Sequence, residues 1–255
     1  MSAFQPFPIR LARIYNLIFA DENETALQLR AIRGAFERHA RRPVRDVLDL
    51  AAGTGRLAIP LAQAGYRVTA LDASPAMLEV LAEHATAQGL AIPTRVAPAD
   101  DLEEPAALDA VICLDSFYYF ADEGFPERVL AAVARALRPG GVLVLDTYNY
   151  FFADLSDEHR TVVLDHEGGQ IQVFGVPALV RADNLLLYTN QVEVTEAGGE
   201  TWSYETTDAY RHFTPLELKS YCRAAGFSEV FHYPGFGPLV NEEPDDGTLV
   251  TVAVR

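Results

Sequence analysis

Apolar residues along the first 150 positions alternate between short runs rich in apolar residues and stretches with helical spacing. The stretch at 56–64 has the spacing of a helix and lies between two such runs. Short runs rich in apolar residues are typical of strands buried in a sheet. They occupy residues 44–50, 67–71, 108–112 and 142–146. Parallel strands joined by right-handed helical crossovers are the simplest arrangement for this alternation, so it predicts an α/β domain at 45–149.

Two further stretches of helical spacing precede the first strand, at 8–19 and 22–41. Ile14, Leu17 and Ile18 would form the apolar face of the first of these helices. We therefore expect residues 1–44 to form a helical lid over the sheet.

Helical spacing disappears between about residue 150 and residue 211. It is replaced by β-rich runs at 161–164, 170–174, 185–194 and 201–207, and Gly198-Gly199 between the last two indicates a hairpin. This region predicts an antiparallel sheet inserted at 150–211. The alternative is a sheet that only covers apolar surface or forms a dimer contact.

The last part of the chain, 212–255, returns to the pattern of the first domain. A helical stretch at 215–225 is followed by strand patterns at 228–233 and 248–254. These elements are expected to complete the central sheet.

A glycine-rich turn joins the first predicted strand to its helix in Asp49-Leu50-Ala51-Ala52-Gly53-Thr54-Gly55. Glycine lets a ligand approach the backbone closely, and the free N–H groups that begin a helix favour an anionic group. Asp72 ends the second strand, where a carboxylate can accept hydrogen bonds from ribose hydroxyls. The turn therefore predicts a nucleoside cofactor. Because the glycine spacing also fits the dinucleotide pattern, an NAD-dependent oxidoreductase is one alternative.

The turn resembles motif I of the class I S-adenosylmethionine-dependent methyltransferases, which reads acidic-x-Gly-x-Gly-x-Gly. Asp49, Ala51, Gly53 and Gly55 occupy the matching positions, with Ala51 in place of the first glycine. Further landmarks of that family follow in order: Leu71-Asp72-Ala73-Ser74-Pro75-Ala76-Met77-Leu78, Leu108-Asp109-Ala110-Val111-Ile112 and Leu137-Arg138-Pro139-Gly140-Gly141. The last is expected to turn the chain from a helix into the fifth strand.

This resemblance implies a Rossmann-like fold of class α/β. Its sheet would have seven mainly parallel strands with helices on both faces, and the antiparallel β cap would be inserted between strands five and six. It also implies S-adenosylmethionine as cofactor and S-adenosylhomocysteine as product. Inserts of this kind in glycine and amino-sugar N-methyltransferases imply a cap over the substrate.

The resemblance also implies roles for single residues in cofactor binding. Gly53 and Gly55 would line the methionine part, Asp72 would bind the ribose, and Ala73 or Met77 would pack against adenine. The full set of predicted cofactor residues is Tyr15, Asp49, Ala51, Gly53, Gly55, Asp72, Ala73, Met77, Asp100, Asp101 and Leu114. Within it, Asp100 or Asp101 would meet the adenine amino group, and Tyr15 would close over the cofactor.

Ligands of open α/β sheets lie at the carboxyl ends of the strands, here after strands four and five. The candidate catalytic residues are Tyr148, His212 and Tyr118, and the candidate substrate-binding residues are Asp115, Phe117, Tyr119, Asn149 and Arg211. Aromatic faces in this region could stabilise a sulfonium or an ammonium group, although plain packing is the alternative. A structural role for His212 and a surface salt bridge for Arg211 are also open.

Composition narrows the range of partners. The 255 residues include 20 Lys and Arg against 36 Asp and Glu, a formal net charge of -16 that disfavours nucleic acid. Two cysteines, Cys113 and Cys222, suggest neither a metal site nor a disulfide framework. The absence of a long apolar run or a leader pattern predicts a cytoplasmic protein without membrane contact.

The pattern therefore predicts methyl transfer to a small molecule by in-line attack on the sulfonium methyl group. An amine is preferred over a hydroxyl or carbon acceptor, and a neutral amine needs no dedicated general base. The alternative is a non-catalytic protein or subunit that binds S-adenosylmethionine and uses the insert to form a homodimer.

Overall fold

A computed structural model describes residues 7–102, 106–148, 160–180, 184–243 and 247–255. Its helices are α1 (Ile9–Phe19), α2 (Glu22–His39), α3 (Ala58–Gln63), α4 (Pro75–Ala87), α5 (Phe125–Ala136) and α6 (Pro215–Ala225). Its strands are β1 (Asp46–Leu50), β2 (Arg67–Asp72), β3 (Thr94–Val96), β4 (Leu108–Cys113), β5 (Leu137–Tyr148), β6 (Arg160–His166), β7 (Gly169–Val180), β8 (Leu185–Thr195), β9 (Thr201–Arg211), β10 (Glu229–Pro234) and β11 (Thr248–Val254).

The central sheet has seven strands in the order β10-β11-β5-β4-β1-β2-β3. Strands β1 to β5 are parallel to one another, whereas β11 runs antiparallel to both β5 and β10. This arrangement confirms the predicted α/β fold with a mainly parallel, seven-stranded sheet.

Helices cover both faces of this sheet because successive strand residues point in opposite directions. In β1, Val47 packs in the layer formed with α2, α3 and α4, whereas Leu48 packs in the layer formed with α5 and α6. Both side chains are buried. The two layers hold the carboxyl ends of β1, β4 and β5 at one edge of the sheet.

The Pro-Gly-Gly motif lies inside a strand, which differs from its predicted place before one. Helix α5 ends at Ala136 and β5 begins at the next residue. The pairing of β5 with β4 then shifts, from Leu137 opposite Leu108 to Val142 opposite Ala110. Residues 138–141, between these two pairs, therefore form an irregularity in the strand and not a turn ahead of it. Gly140 has a φ of +79° within this irregularity.

The insert forms a separate four-stranded antiparallel sheet in the order β6-β7-β8-β9, which we call the cap sheet. It lies in the chain between β5 and β10, as predicted. Gly199, with a φ of +81°, lies in the tight connection between β8 and β9. The cap sheet packs on α1 through a buried cluster that includes Ile171 and Val192 from the sheet and Leu11 and Ile14 from the helix.

Helix α1 also packs against the core. Ala12 on this helix forms a small buried cluster with Met77 and Val80 of α4. The helix therefore lies between the cap sheet and the core. In the described ranges, no helix is both long and apolar enough to cross a membrane.

Candidate active site

A cavity of about 660 Å³ lies between α1, the carboxyl ends of the central strands and the inner face of the cap sheet. From the core it is lined by Asp49, Ala51, Ala52, Gly53, Thr54, Arg56, Leu57, Leu114, Asp115, Ser116, Tyr118, Tyr119 and Tyr148. From the cap it is lined by Val162, Val173, Gly175, Leu186, Tyr188, Asn190, Val192, Tyr204, Thr206, Asp208 and Tyr210. The cavity thus joins the glycine-rich turn to the insert.

Asp49 at the end of β1 is a buried carboxyl group that borders this cavity. Its side chain is only 3% exposed, and its Oδ2 atom has no hydrogen-bond partner among the described residues. Burial raises the pKa of Asp49 to about 7, although the Arg56 guanidinium acts in the opposite direction. A buried acceptor without a partner is costly, so this atom suits a ligand that brings a donor or a positive charge.

The turn after Asp49 contains three residues in the left-handed region of backbone space. Ala51 has a φ of +62°, Gly53 of +54° and Gly55 of +85°. Alanine adopts this conformation only at a cost of about 1 to 2 kcal/mol, which glycine avoids. Ala51 therefore takes the backbone conformation that glycine would adopt more easily.

The two glycines of the turn serve different purposes. A Cβ atom on Gly53 would meet no atom within 4 Å, and Gly53 lines the cavity. A Cβ atom on Gly55 would lie 2.6 Å from Cγ of Leu81 in α4. Gly55 does not line the cavity; the structure supports a packing role for it, and its contact with the cofactor stays a prediction.

Asp72 at the end of β2 holds the turn in place. Its Oδ2 accepts a hydrogen bond from the backbone N–H of Gly53 at 2.8 Å, and its Oδ1 accepts one from the N–H of Ser74 at 2.8 Å. Burial raises the pKa of Asp72, and these backbone hydrogen bonds oppose the shift. Asp72 lies beside the cavity without lining it, and its contact with ribose stays a prediction.

The residues predicted to contact adenine have other partners in this structure. Asp100 forms an ion pair with Arg128 at 2.9 Å, and Asp101 forms one with Arg95 at 3.3 Å. Met77 is buried between α4 and α1. Ala73 is exposed, and like Asp100, Asp101 and Met77 it does not line the cavity. Their roles toward adenine stay predictions.

Asp115 is the centre of a polar network beneath the cavity. Its Oδ2 accepts hydrogen bonds from Arg56 and from Nε2 of Gln28 at 3.1 Å, and the Tyr148 hydroxyl donates to its Oδ1 at 3.4 Å. Its backbone N–H donates to Oδ1 of Asp146 at 2.7 Å, and its φ is +54°. Burial, together with the charge of Asp115, raises the pKa of Asp146 well above its usual range. The network holds the side chain of Asp115 against the Arg56 guanidinium.

Aromatic side chains from the core and the cap meet over this network. Tyr118 contacts the rings of Tyr148 at 5.0 Å and Tyr210 at 5.2 Å, both edge to face. The hydroxyls of Tyr119 and Tyr210 lie 3.3 Å apart. Tyr15 reaches the cavity from α1, and burial, followed by the charge of Asp115, raises its pKa to about 12.

Three predicted substrate or catalytic residues do not line the cavity. Phe117 is 1% exposed and packs its ring against Phe213 at 5.2 Å, so it cannot touch a ligand there. Arg211 donates hydrogen bonds to Glu217 at 2.7 Å and to the Tyr221 hydroxyl at 3.1 Å. His212 is half-buried outside the cavity lining, and burial lowers its pKa.

The periodicity of strand β9 explains the position of Arg211. Since Tyr210 points into the cavity, its neighbour along the strand points to the opposite face. The salt bridge that the sequence left open for Arg211 is observed with Glu217, although both side chains are partly buried. Asn149, also predicted to bind substrate, lies outside the described residues.

Sequence reasoning missed the contribution of the cap sheet to the cavity. Tyr188, Asn190, Thr206, Asp208 and Tyr210 all line it. The even-numbered positions of β9 share one face, but only the pairing with β8 and the packing on α1 decide that this face points inward. The alternating pattern at 202–210 therefore indicates which side chains of β9 share a face. It does not indicate whether that face points into the cavity.

Comparison with known proteins agrees with this architecture. Residues 47–141 match a family model described as "Methyltransferase domain". Ubiquinone biosynthesis O-methyltransferase from Xanthomonas euvesicatoria is 35% identical over 105 residues, which are 40% of this chain and 43% of that protein. The corresponding protein from Xylella fastidiosa is 35% identical over 105 residues, 40% of this chain and 42% of its own. The chain thus matches about two fifths of the length of these relatives.

Solved structures match over nearly the whole chain. The sugar N-methyltransferase KedS8 from Streptoalloteichus has a TM-score of 0.76 at 24% identity, covering 100% of this chain and 98% of its own. The amino pentose methyltransferase CalS10 from Micromonospora echinaspora, solved with S-adenosylmethionine bound, has a TM-score of 0.69 at 21% identity, covering 99% of each chain. At these identities the likeness concerns the fold.

The sheet order, the glycine-rich turn and the cavity above it define a class I methyltransferase fold. Residues 47–141, less than half of the chain, match a methyltransferase domain in sequence. The family assignment made from motif I and the later landmarks is therefore confirmed.

The residues around the turn also fit that cofactor. The unpartnered Oδ2 of Asp49 suits its ammonium group, and the open space beside Gly53 leaves room for its chain. S-adenosylmethionine carries both a sulfonium and an ammonium charge, so an acidic wall favours its binding.

Proposed function

We propose that this protein transfers a methyl group from S-adenosylmethionine to the amino group of a small molecule. The observation that carries the proposal is the single cavity of about 660 Å³ shared by the motif I turn and the cap sheet. A cavity of this size matches those that hold small ligands in other proteins. It gives the cofactor and the acceptor a common space in which to meet.

Asp49, Gly53 and Asp72 would hold the cofactor at one end of this space. Oδ2 of Asp49 would accept a hydrogen bond from the ammonium group of the cofactor. Gly53 would let the methionine part of the cofactor pass close to the protein backbone. Asp72 still has lone pairs for ribose hydroxyls after its two backbone hydrogen bonds. Tyr15 on α1 would close over the bound cofactor.

When bound, S-adenosylmethionine supplies a methyl group on a positively charged sulfur atom, which a neutral nucleophile can displace. The protein would mainly have to hold the acceptor in line behind the carbon–sulfur bond. Tyr118 and Tyr148 border the region where the methyl group would lie. Asp115, held by Arg56 and Gln28, would orient a polar group of the acceptor.

The charges around the cavity favour an amine over a hydroxyl acceptor. Its described lining includes the acids Asp21, Glu24, Asp49, Asp115 and Asp208 against one base, Arg56, which pairs with Asp115. A hydroxyl acceptor would need a general base, and His212, the candidate from the sequence, lies outside the lining. The names of the relatives point both ways, since the ubiquinone enzymes are O-methyltransferases and the structural neighbour KedS8 is a sugar N-methyltransferase.

Two alternatives remain from the sequence, and the sheet bears on one of them. The dinucleotide-binding fold has the strand order 3-2-1-4-5-6 in a mostly parallel sheet. Here the antiparallel β11 lies between β5 and β10, which favours S-adenosylmethionine over NAD. A non-catalytic binder would share the fold and the cofactor, so only turnover separates it from an enzyme.

Calorimetric titration of the purified chain with S-adenosylmethionine and separately with NAD tests the cofactor. A pooled screen of amines and alcohols for release of S-adenosylhomocysteine then tests the reaction. We expect binding of S-adenosylmethionine but not NAD, and turnover on an amine pool. Binding of NAD without binding of S-adenosylmethionine would overturn the proposal. Turnover confined to alcohols would overturn the preference for an amine acceptor.

A further inference from the structure

The inner face of the cap sheet has a polar end and an apolar end. Ile171 and Val192 at the apolar end pack on α1. At the polar end, Asp208 of β9 lies directly opposite Tyr188 of β8. Residues opposite each other in antiparallel strands have Cβ atoms about 4.5 to 5.5 Å apart, so these two side chains are neighbours. Both ends border the cavity, which Val192 lines at the apolar end and Asp208 lines at the polar end.

Asp208 is a carboxyl group held by neutral side chains in the part of the chain that the structure describes. The Thr206 hydroxyl donates to its Oδ1 at 3.3 Å, and the Asn190 side chain is its other hydrogen-bond partner. Within the described ranges, no Lys, Arg or His nitrogen forms an ion pair with this carboxylate. The group is partly buried, and burial raises its pKa. A carboxylate in this setting gains free energy when a cation reaches it.

Two tyrosine rings flank the same position. The rings of Tyr188 and Tyr210 are nearly parallel, with centroids 6.0 Å apart and an interplanar angle of 22°. The ring of Tyr119 from the core stands at 89° to that of Tyr210, with centroids 4.8 Å apart. Aromatic faces attract ammonium groups, and the attraction grows as water is excluded.

Gly175 on β7 gives Tyr188 the room to lie in this arrangement. A Cβ atom on Gly175 would lie 2.1 Å from the Tyr188 hydroxyl oxygen. The tyrosine side chain therefore extends across β7 above Gly175, where a Cβ atom would overlap its hydroxyl end. Gly175, the ring of Tyr188 and the carboxyl group of Asp208 together form one wall of the cavity.

We infer that Asp208, Tyr188, Asn190 and Tyr210, together called the cap site, bind a protonated amino group of the acceptor. This group passes its proton to the Asp208 carboxylate before the nitrogen attacks, because only the neutral nitrogen has a free lone pair. Asp208 forms the ion pair, and the ring faces of Tyr188 and Tyr210 lie against the cation. The inference rests on the proposed function, because it assigns the acceptor of that reaction to the amines. It adds a site on the insert, outside the matched family region at 47–141.

The test compares matched amines and alcohols on the protein saturated with S-adenosylhomocysteine. Suitable pairs are glucosamine with glucose, cyclohexylamine with cyclohexanol, and 2-phenylethylamine with 2-phenylethanol. Calorimetry measures their binding to the wild type, to Asp208→Asn and to Glu205→Gln. The control Glu205 is an exposed acid on the same strand at an odd-numbered position, so it faces away from the cap site.

We expect an amine to bind more tightly than its alcohol, and Asp208→Asn to weaken that amine roughly 10- to 100-fold, as for loss of a charged hydrogen bond. The alcohols should bind equally to both proteins, and Glu205→Gln should match the wild type. The inference is overturned if no amine of the panel binds more tightly than its alcohol, or if Asp208→Asn leaves amine binding unchanged.

Titration with S-adenosylmethionine separates this result from the proposed function. We expect unchanged cofactor affinity in Asp208→Asn, because the cap site is separate from the motif I turn. If amine binding depends on Asp208 but no amine releases S-adenosylhomocysteine, the cap site stands and the proposed reaction fails. If turnover occurs and is insensitive to Asp208→Asn, the reaction stands and the cap site fails.

Discussion

The two walls of the cavity are shaped by different parts of the polypeptide. On the core side, the backbone of the turn at 49–55 sets the shape through the positive φ angles of Ala51, Gly53 and Gly55. On the cap side, side chains on alternate positions of β8 and β9 set it, with Asp208 opposite Tyr188. The core wall depends on local conformation, and the cap wall depends on how strands pair.

This difference matters for function because the core wall would bind the cofactor and the cap wall would bind the acceptor. A backbone-shaped turn suits a cofactor that stays the same across many proteins, and few residue types satisfy it. A wall of side chains can change its chemistry without any change of fold. We therefore expect the residues of the cap sheet to determine which acceptor binds.

The largest effect is expected from a methyl group added to the turn at Gly55. In Gly55→Ala the new Cβ would meet Leu81 at a backbone φ that disfavours alanine. We expect the free energy of unfolding to fall by about 2 to 4 kcal/mol, combining overpacking with conformational strain. Chemical denaturation measures it.

Gly53→Ala is the matched control for that experiment. Its Cβ would meet no atom within 4 Å, so only the conformational cost of about 1 to 2 kcal/mol applies. Equal losses in the two variants would contradict the distinction between a packing glycine and a glycine that borders the cavity.

A second prediction concerns the carboxylates near the cofactor. Asp72→Ala should weaken binding of S-adenosylmethionine by about 1 to 3 kcal/mol, through loss of ribose hydrogen bonds and of the hydrogen bonds that hold the turn. Calorimetry on the folded variant measures this change. Asp101→Ala, which removes an exposed partner of Arg95, should leave the affinity as it is.

Unchanged affinity in a folded Asp72→Ala protein would remove Asp72 from the site. A loss of affinity in Asp101→Ala would instead support the adenine contact predicted from the sequence, despite the ion pair seen in the structure.

The pH dependence of cofactor binding tests Asp49, whose pKa burial raises to about 7. An ammonium group favours the ionised carboxylate, so affinity for S-adenosylmethionine should increase from pH 6 to 7.5, by at most about tenfold per pH unit. Asp49→Asn should lose this increase. A flat profile in the wild type would contradict the contact.

Stability of the protein without cofactor should change in the opposite direction. Between the ordinary value of 3.8 and about 7, the folded protein keeps a proton on Asp49 that the unfolded chain has lost. The free energy of unfolding therefore decreases as pH rises through this window. Comparing denaturation curves of the wild type and Asp49→Asn isolates the contribution of this group.

The smallest effect on stability is expected on the cap side, at Gly175. Its added Cβ would meet only the far end of the Tyr188 side chain, which can move. Alanine in a strand also gains about 0.5 to 1 kcal/mol over glycine, so Gly175→Ala should change stability by less than about 1 kcal/mol. The displaced ring should nevertheless weaken amine binding at the cap site.

Tyr188→Phe is the control, because it removes the hydroxyl and keeps the ring face. Denaturation and amine titration together separate the effects. A large loss of stability in Gly175→Ala would show that the cap wall is as rigid as the turn at 49–55. That result would contradict the difference between the two walls.

Much of the core was predictable from local patterns. The apolar run at 67–71 and the acidic residue after it gave β2 and Asp72 at its end, and 108–112 gave β4 within one residue. The start of β5 was not predictable, because Pro139 and Gly140 have the composition of a turn. Their position in the sheet depends on a pairing shift with β4 that no local pattern records.

The aromatic residues after β4 show the same limit. Phe117, Tyr118 and Tyr119 are consecutive, and composition gives no reason to rank them. The short helical turn at Phe117–Tyr119 directs Phe117 into the core against Phe213 and leaves both tyrosines on the cavity. Phe213 is 96 positions away, so this choice was made by packing.

The sequence by itself determined the fold class, the motif I turn and the existence of an antiparallel insert. These follow from strand and helix periodicity and from residue types that suit a tight turn, all of which act over a few positions. Only the tertiary structure decided which face of the cap sheet points inward and that Arg56 meets Asp115. Both depend on strand register and on contacts between distant segments, where a shift of one residue would turn Asp208 away from the cavity.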